Sequence, residues 1–185
     1  MANKYQSFDP NTEVLGQPML GFIYCLRQEE IRPLLEKHGL TDIEPNGWYP
    51  LQKWLDVLGD LTEERSGQAM FDFVAVGMKI ADMAEFPPEF DTMPLEQVLS
   101  GFSASYQRDH RGGDAGEIIV EPVKEGHVKV VVRTPYPDDT WYGFVWGLFR
   151  RYSSPGTGFR VKYDEGLPRR DEGGEVTVIH VEWGV

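Results

Sequence analysis

Residues Val128–Tyr152 read VKVVVRTPYPDDTWYGFVWGLFRRY, and this stretch decides the fold. Val128 to Arg133 is a β-branched run suited to a strand. Thr134-Pro135-Tyr136-Pro137-Asp138-Asp139 is a turn whose aspartates are placed to cap the next helix. That helix, Thr140 to Ser153, carries Trp141, Tyr142, Phe144, Val145, Trp146, Leu148, Phe149 and Tyr152 around most of its circumference. A helix apolar nearly all round has to be covered nearly all round. Gly143 and Gly147, four apart, make a flat strip on which another backbone can approach closely.

On the C-terminal side, Phe159, Val161 and Tyr163 alternate with polar residues in a half-buried strand. A polar loop, Glu165 to Gly174, then leads to a last strand, Val176 to Trp183. On the N-terminal side, Ile118–Val123 pairs with Val128–Arg133 through the hairpin signal Lys124-Glu125-Gly126-His127. The order from residue 114 to 185 is therefore strand-strand-helix-strand-strand.

Residues 1–113 read as helical. Two short helices occupy Leu20 to Lys37, with Pro33 in a first turn and Gly39 as a C-terminal stop. Trp48-Tyr49-Pro50 opens another, with Leu51, Trp54, Leu55 and Leu58 as its apolar stripe, and Gly59 ends it. Ser66 caps a largely apolar segment from Ala69 to Ala84, which Phe86-Pro87-Pro88 breaks. Pro94 starts a further helix through Leu95, Phe102 and Tyr106. Helices followed by an antiparallel meander predict a single α+β domain over residues 1–185. A helical layer packs on a four-stranded antiparallel sheet, and the aromatic helix lies buried between sheet and the Ala69–Ala84 segment.

Composition narrows function. Thirty acidic residues against 18 Lys plus Arg give a formal charge of -12, which repels phosphate backbones and disfavours nucleic acid as a partner. The start, MANKYQSFDPNTEVL, has no secretory pattern, and no apolar run approaches a bilayer span, so no membrane insertion and a cytoplasmic location are expected. Cys25, the one cysteine, sits in an apolar run as an inert filler. No Gly-x-Ser-x-Gly elbow, phosphate loop or His-x-x-x-His pair occurs, and His38, His110, His127 and His180 are scattered. No catalytic residue or metal site is predicted, and the chain is not expected to be an enzyme.

The strand, proline-containing turn and Gly143/Gly147 helix, followed by a glycine and another strand, resemble the C-terminal half of the heme-nitric-oxide-binding (H-NOX) domain. Related 4-vinyl-reductase-type and TRAPP-subunit folds share the arrangement. The resemblance implies a compact α+β domain with an apolar cavity between its layers, where H-NOX members hold heme. The residues for heme do not carry over. The family's propionate-binding Tyr-x-Ser-x-Arg falls near Val131 to Pro135, with only Arg133 as a displaced partial match. The proximal histidine falls around Ser103 or Ala104, and His110 stands about two turns further on. No cofactor is therefore expected.

From these features the predicted function is a non-enzymatic, sensory domain for an apolar small molecule. Phe73, Phe102, Tyr106, Trp141, Phe144, Val145 and Leu148 are its candidate lining, with Met70, Met78 and Met83 in support and Arg133 or His110 as polar anchors. The plainer alternative is that these residues only fill a core. Two other functions stay open: a TRAPP-like assembly module, forming a homodimer or engaging a signalling partner through Phe159–Tyr163 or Trp183, and a heme-based gas sensor using a different iron ligand.

Overall fold

The computed structural model describes residues 4–63, 72–154 and 156–184. Ser66, Ala69 and Met70 lie outside the described residues. Strand β1 (Glu13–Leu15) leads into α1 (Gly16–Ile23) and α2 (Gln28–Lys37), and β2 (Trp48–Pro50) leads into α3 (Leu51–Glu63). Then come α4 (Phe73–Met83), a 3-10 turn at Pro88–Asp91, α5 (Leu95–Arg108) and β3 (His110–Arg111). The C-terminal unit is β4 (Glu117–Lys124), β5 (His127–Arg133), α6 (Asp138–Tyr152), β6 (Phe159–Tyr163) and β7 (Thr177–Trp183).

The larger sheet is four-stranded and antiparallel as expected, but its order is β4-β5-β7-β6: β5 pairs with β7 and β6 lies outside β7, so it is not the simple meander predicted. Val128, Val130 and Val132 turn one face inward, and with Ile179 and Val181 they join Val145, Leu148 and Phe149 of α6 in one apolar cluster. Tyr142, Trp146 and Phe149 pack on the β6–β7 side: Trp146 lies 5.4 Å from Phe159, and Phe149 lies 5.4 Å from Trp183. Burying a ring such as Phe149 contributes roughly 1.5–3 kcal/mol.

The other side of α6 meets α4 through glycine. A Cβ at Gly143 would sit 2.0 Å from the Val74 carbonyl oxygen, one at Gly77 2.1 Å from the Thr140 oxygen, and one at Gly147 2.7 Å from the Ala81 Cβ. Backbone lies on backbone, as the Gly143/Gly147 spacing predicts.

Several local expectations are corrected. The N-terminal part is not wholly helical: β1, β2 and β3 form a second antiparallel sheet in the order β2-β1-β3. Trp48-Tyr49-Pro50 is its strand β2, because Val14 pairs with Tyr49, and the helix begins one residue later at Leu51. Gly59 does not end α3; it is buried inside a helix whose Leu55, Leu58 and Leu61 remain on the core side. Pro33 lies inside α2, which starts already at Gln28, and is exposed. Asp72 caps α4 by accepting from the Ala75 N–H at 2.9 Å. Trp183 belongs to an inner strand and packs on Phe149, and β6 and β4 are the two edges of the sheet. Gly39 has φ +68°, and Leu40 N–H reaches the Leu35 carbonyl at 2.8 Å, the left-handed stop expected there.

Candidate functional site

Where α5 crosses α6, five aromatic rings and an imidazole converge. The sequence places Phe102 and Tyr106 one turn apart on α5, and Trp141 and Phe144 on the facing flank of α6. Phe102 packs on Phe144 with ring centres 4.2 Å apart and on Trp141 at 5.8 Å. Tyr106 meets Trp141 at 5.5 Å and His110 at 4.3 Å. Tyr136, from the proline turn before α6, closes the group against His110, Tyr106 and Trp141. In the sequence Tyr136 reads only as a turn residue, and its place between Pro135 and Pro137 is the one local signal that it is held.

Polar atoms in the cluster are hydrogen-bonded within it. Trp141 Nε1–H donates to Thr134 Oγ1 at 2.7 Å, and the Tyr106 hydroxyl donates to the Ala115 carbonyl at 2.6 Å. His110 Nδ1 lies 2.7 Å from the Tyr106 carbonyl oxygen, which can only accept, so Nδ1 carries the proton. Nε2 then accepts from the Tyr136 hydroxyl at 2.7 Å. Burial lowers the His110 pKa below its ordinary value and raises those of Tyr106 and Tyr136. The imidazole is thus held neutral with both nitrogens engaged.

The remaining candidates lie in different surroundings. Val145 and Leu148 are buried in the same apolar cluster. Phe73 sits in a second core with Tyr5 and Phe22, at ring distances of 6.5 and 6.2 Å. Arg133 does not reach the rings; its guanidinium donates to the Asp114 carboxylate at 2.8 and 3.3 Å and lies 4.5 Å above Phe8. Met83 is exposed, and the Met78 backbone lies against Gly147. A cleft of about 160 Å³, lined by Arg32, Leu35, Glu36, Thr41 and Asp42, includes none of the candidates.

Two other expectations about polar residues change. Asp138 does not cap α6: its buried carboxylate accepts from Thr177 Oγ1 at 2.6 Å and from Asp171 N–H at 2.8 Å. The histidines are not all scattered, because the antiparallel pairing of β5 with β7 brings His127 and His180 within 2.9 Å.

The residues present do not fit an iron-ligated heme at the place the resemblance assigns. Ser103 stands there on α5 and donates its hydroxyl to the Ile118 carbonyl. His110 has no free lone pair. Among the described residues, no three His, Cys, Asp or Glu side chains converge to hold a metal, and no helix is long and apolar enough to cross a membrane.

No protein-family model matches the sequence, and no curated protein does. Solved structures do match. An unliganded Fe(II) H-NOX mutant from K. algicida superimposes with a TM-score of 0.70 at 11% identity, over 92% of this chain and 97% of that one. A variant of Tt H-NOX gives 0.69 at 16% identity, over 92% and 95%. An oxygen-binding H-NOX domain related to soluble guanylate cyclases gives 0.65 at 14% identity, over 92% and 95%. With helices and sheet in matching order across nine-tenths of its length, the chain has an H-NOX-like α+β fold.

Proposed function

We propose that the protein is a non-catalytic sensory domain that takes an apolar small molecule at the α5–α6 junction, without histidine-ligated heme. The reading rests on the Phe102–Phe144 contact. Phe102 is only partly buried, neither ring makes a hydrogen bond, and turning them aside leaves no polar atom unpaired. The hydrogen-bonded Trp141, Tyr106, His110 and Tyr136 form a fixed wall beside them. The similarity to an oxygen-binding H-NOX domain supports a sensory role for this layer interface. Native mass spectrometry of gently purified protein is expected to show a bound apolar molecule that is lost in Phe102→Asp. Hemin titration is expected to give no Soret band of a histidine-ligated heme, and its appearance would overturn the heme-free part.

A second reading, self-association, draws on β4. This edge strand exposes Ile119 and Val123 to solvent. Light scattering that stays monomeric at high concentration rejects it.

A further inference from the structure

The outer face of the larger sheet carries a constellation that the ring cluster does not use. On β5, Val128, Val130 and Val132 face α6, so His127 points the opposite way. On β7, His180 alternates with Ile179 and Val181 and shares that outer face. The register sets His127 opposite Glu182 and His180 opposite Lys129, which makes the two histidines diagonal neighbours across one antiparallel pair. Their facing nitrogens, Nε2 of His127 and Nδ1 of His180, are 2.9 Å apart. The far nitrogen of His180, Nε2, lies 2.9 Å from Asp164 Oδ2, at the end of β6.

Protonation follows from the partners. The Asp164 carboxylate accepts, so His180 carries its proton on Nε2 and presents the Nδ1 lone pair to His127. His127 Nε2–H donates into that lone pair. A carboxylate on the far nitrogen of a histidine is also the arrangement that orients metal-ligating imidazoles and raises their basicity.

We infer that His127 and His180 form a two-nitrogen chelate for a divalent late transition-metal cation of the copper or nickel type, with Asp164 as the positioning residue behind His180. The donors carry the choice of metal: two neutral imidazoles, with water completing the set, give nitrogen and oxygen ligands. Tetragonal nitrogen and oxygen coordination is the preference of Cu(II) and Ni(II), and copper binds more tightly in the divalent series. On binding, His127 moves its proton from Nε2 to Nδ1, so both facing nitrogens offer lone pairs and no net proton is released. The rings turn so that the two lone pairs meet at the ion. With no third ligating side chain converging among the described residues, water fills the other equatorial positions. The His180 side chain is 13% exposed and that of Asp164 26%.

The test is a Cu(II) titration of the whole protein followed by electron paramagnetic resonance. One equivalent is expected to bind with superhyperfine structure from two equatorial nitrogens. His127→Ala and His180→Ala each lower affinity at least tenfold and remove one nitrogen from the pattern, and Asp164→Asn lowers it about 10–100-fold. Circular dichroism confirms that the variants stay folded. A double variant, His127→Ala with His180→Ala, that binds copper as the parent does overturns the assignment, as does a spectrum with a single nitrogen in the parent.

Discussion

Gly143 on α6 rests directly on the Val74 carbonyl of α4, with no room for a β-carbon between them: one placed there would lie 2.0 Å from the oxygen. Gly143→Ala therefore forces the helices apart. Overpacking of this kind costs about 1–3 kcal/mol, read as a lower urea midpoint. Gly21 on α1 is the control, since a Cβ there meets nothing within 4 Å. Gly21→Ala is expected to stabilise by about 0.5–1 kcal/mol through helix propensity.

His110 provides a pH signature. Burial holds its pKa below the ordinary 6.5, against the opposing pull of the Tyr106 carbonyl. The unfolded chain thus takes up the proton more readily than the folded one. The stability contributed by the neutral ring is complete above pH 6.5 and is lost as pH falls through the folded midpoint. Ring-proton NMR is expected to place the titration of His110 below 6.5. His110→Gln flattens the fall of the urea midpoint with acid, and Tyr136→Phe, which removes the donor to neutral Nε2, raises the NMR midpoint.

Asp138 ties the start of α6 to β7 and to the loop before it. Asp138→Ala orphans the Thr177 hydroxyl and the Asp171 N–H, at roughly 1–3 kcal/mol for each donor left unpaired and buried. Thr177→Val removes the hydroxyl donor to Asp138 and, with the same atom, the acceptor of the Arg170 N–H at 2.9 Å, so it is expected to lower the urea midpoint by a comparable amount.

Arg151, near the end of α6, closes the end of α4: its guanidinium donates to the Ala81 and Ala84 carbonyls at 2.9 and 2.8 Å. These carbonyls have no partner further along their own helix. Arg151→Met keeps the aliphatic stem and removes the donors. A loss of about 1 kcal/mol is expected, with faster amide exchange in the last turn of α4.

What was legible in the sequence was what is local. The aromatic circumference and glycine spacing of residues 138–152 announced a helix covered on both sides, and the β-branched runs around Gly126 announced the hairpin. The small sheet was not legible, because strands of two or three residues at Glu13, Trp48 and His110 carry no periodicity and exist only through one another. Trp48-Tyr49-Pro50 reads as a helix start for that reason: its aromatic residues suit either state, and the pairing with β1 decides. The candidate site was legible in its apolar half, Phe102, Tyr106, Trp141 and Phe144, from helical spacing. Its polar half was not, since Tyr136 reaches His110 across 26 residues. The His127–His180 contact spans 53 residues and follows from strand register, although both histidines fall at outward positions of alternating strands.

The glycine contact between α4 and α6 also divides the molecule mechanically. Side chains can hop between rotamers, but backbone seated on backbone offers no alternative seating, so these two helices travel as one plate. Across α5 the contact is made by rings, of which only Phe102 and Phe144 carry no hydrogen bond. α5 and the short strand after it, which is stitched to the residues just ahead of α1, therefore meet that plate through side chains.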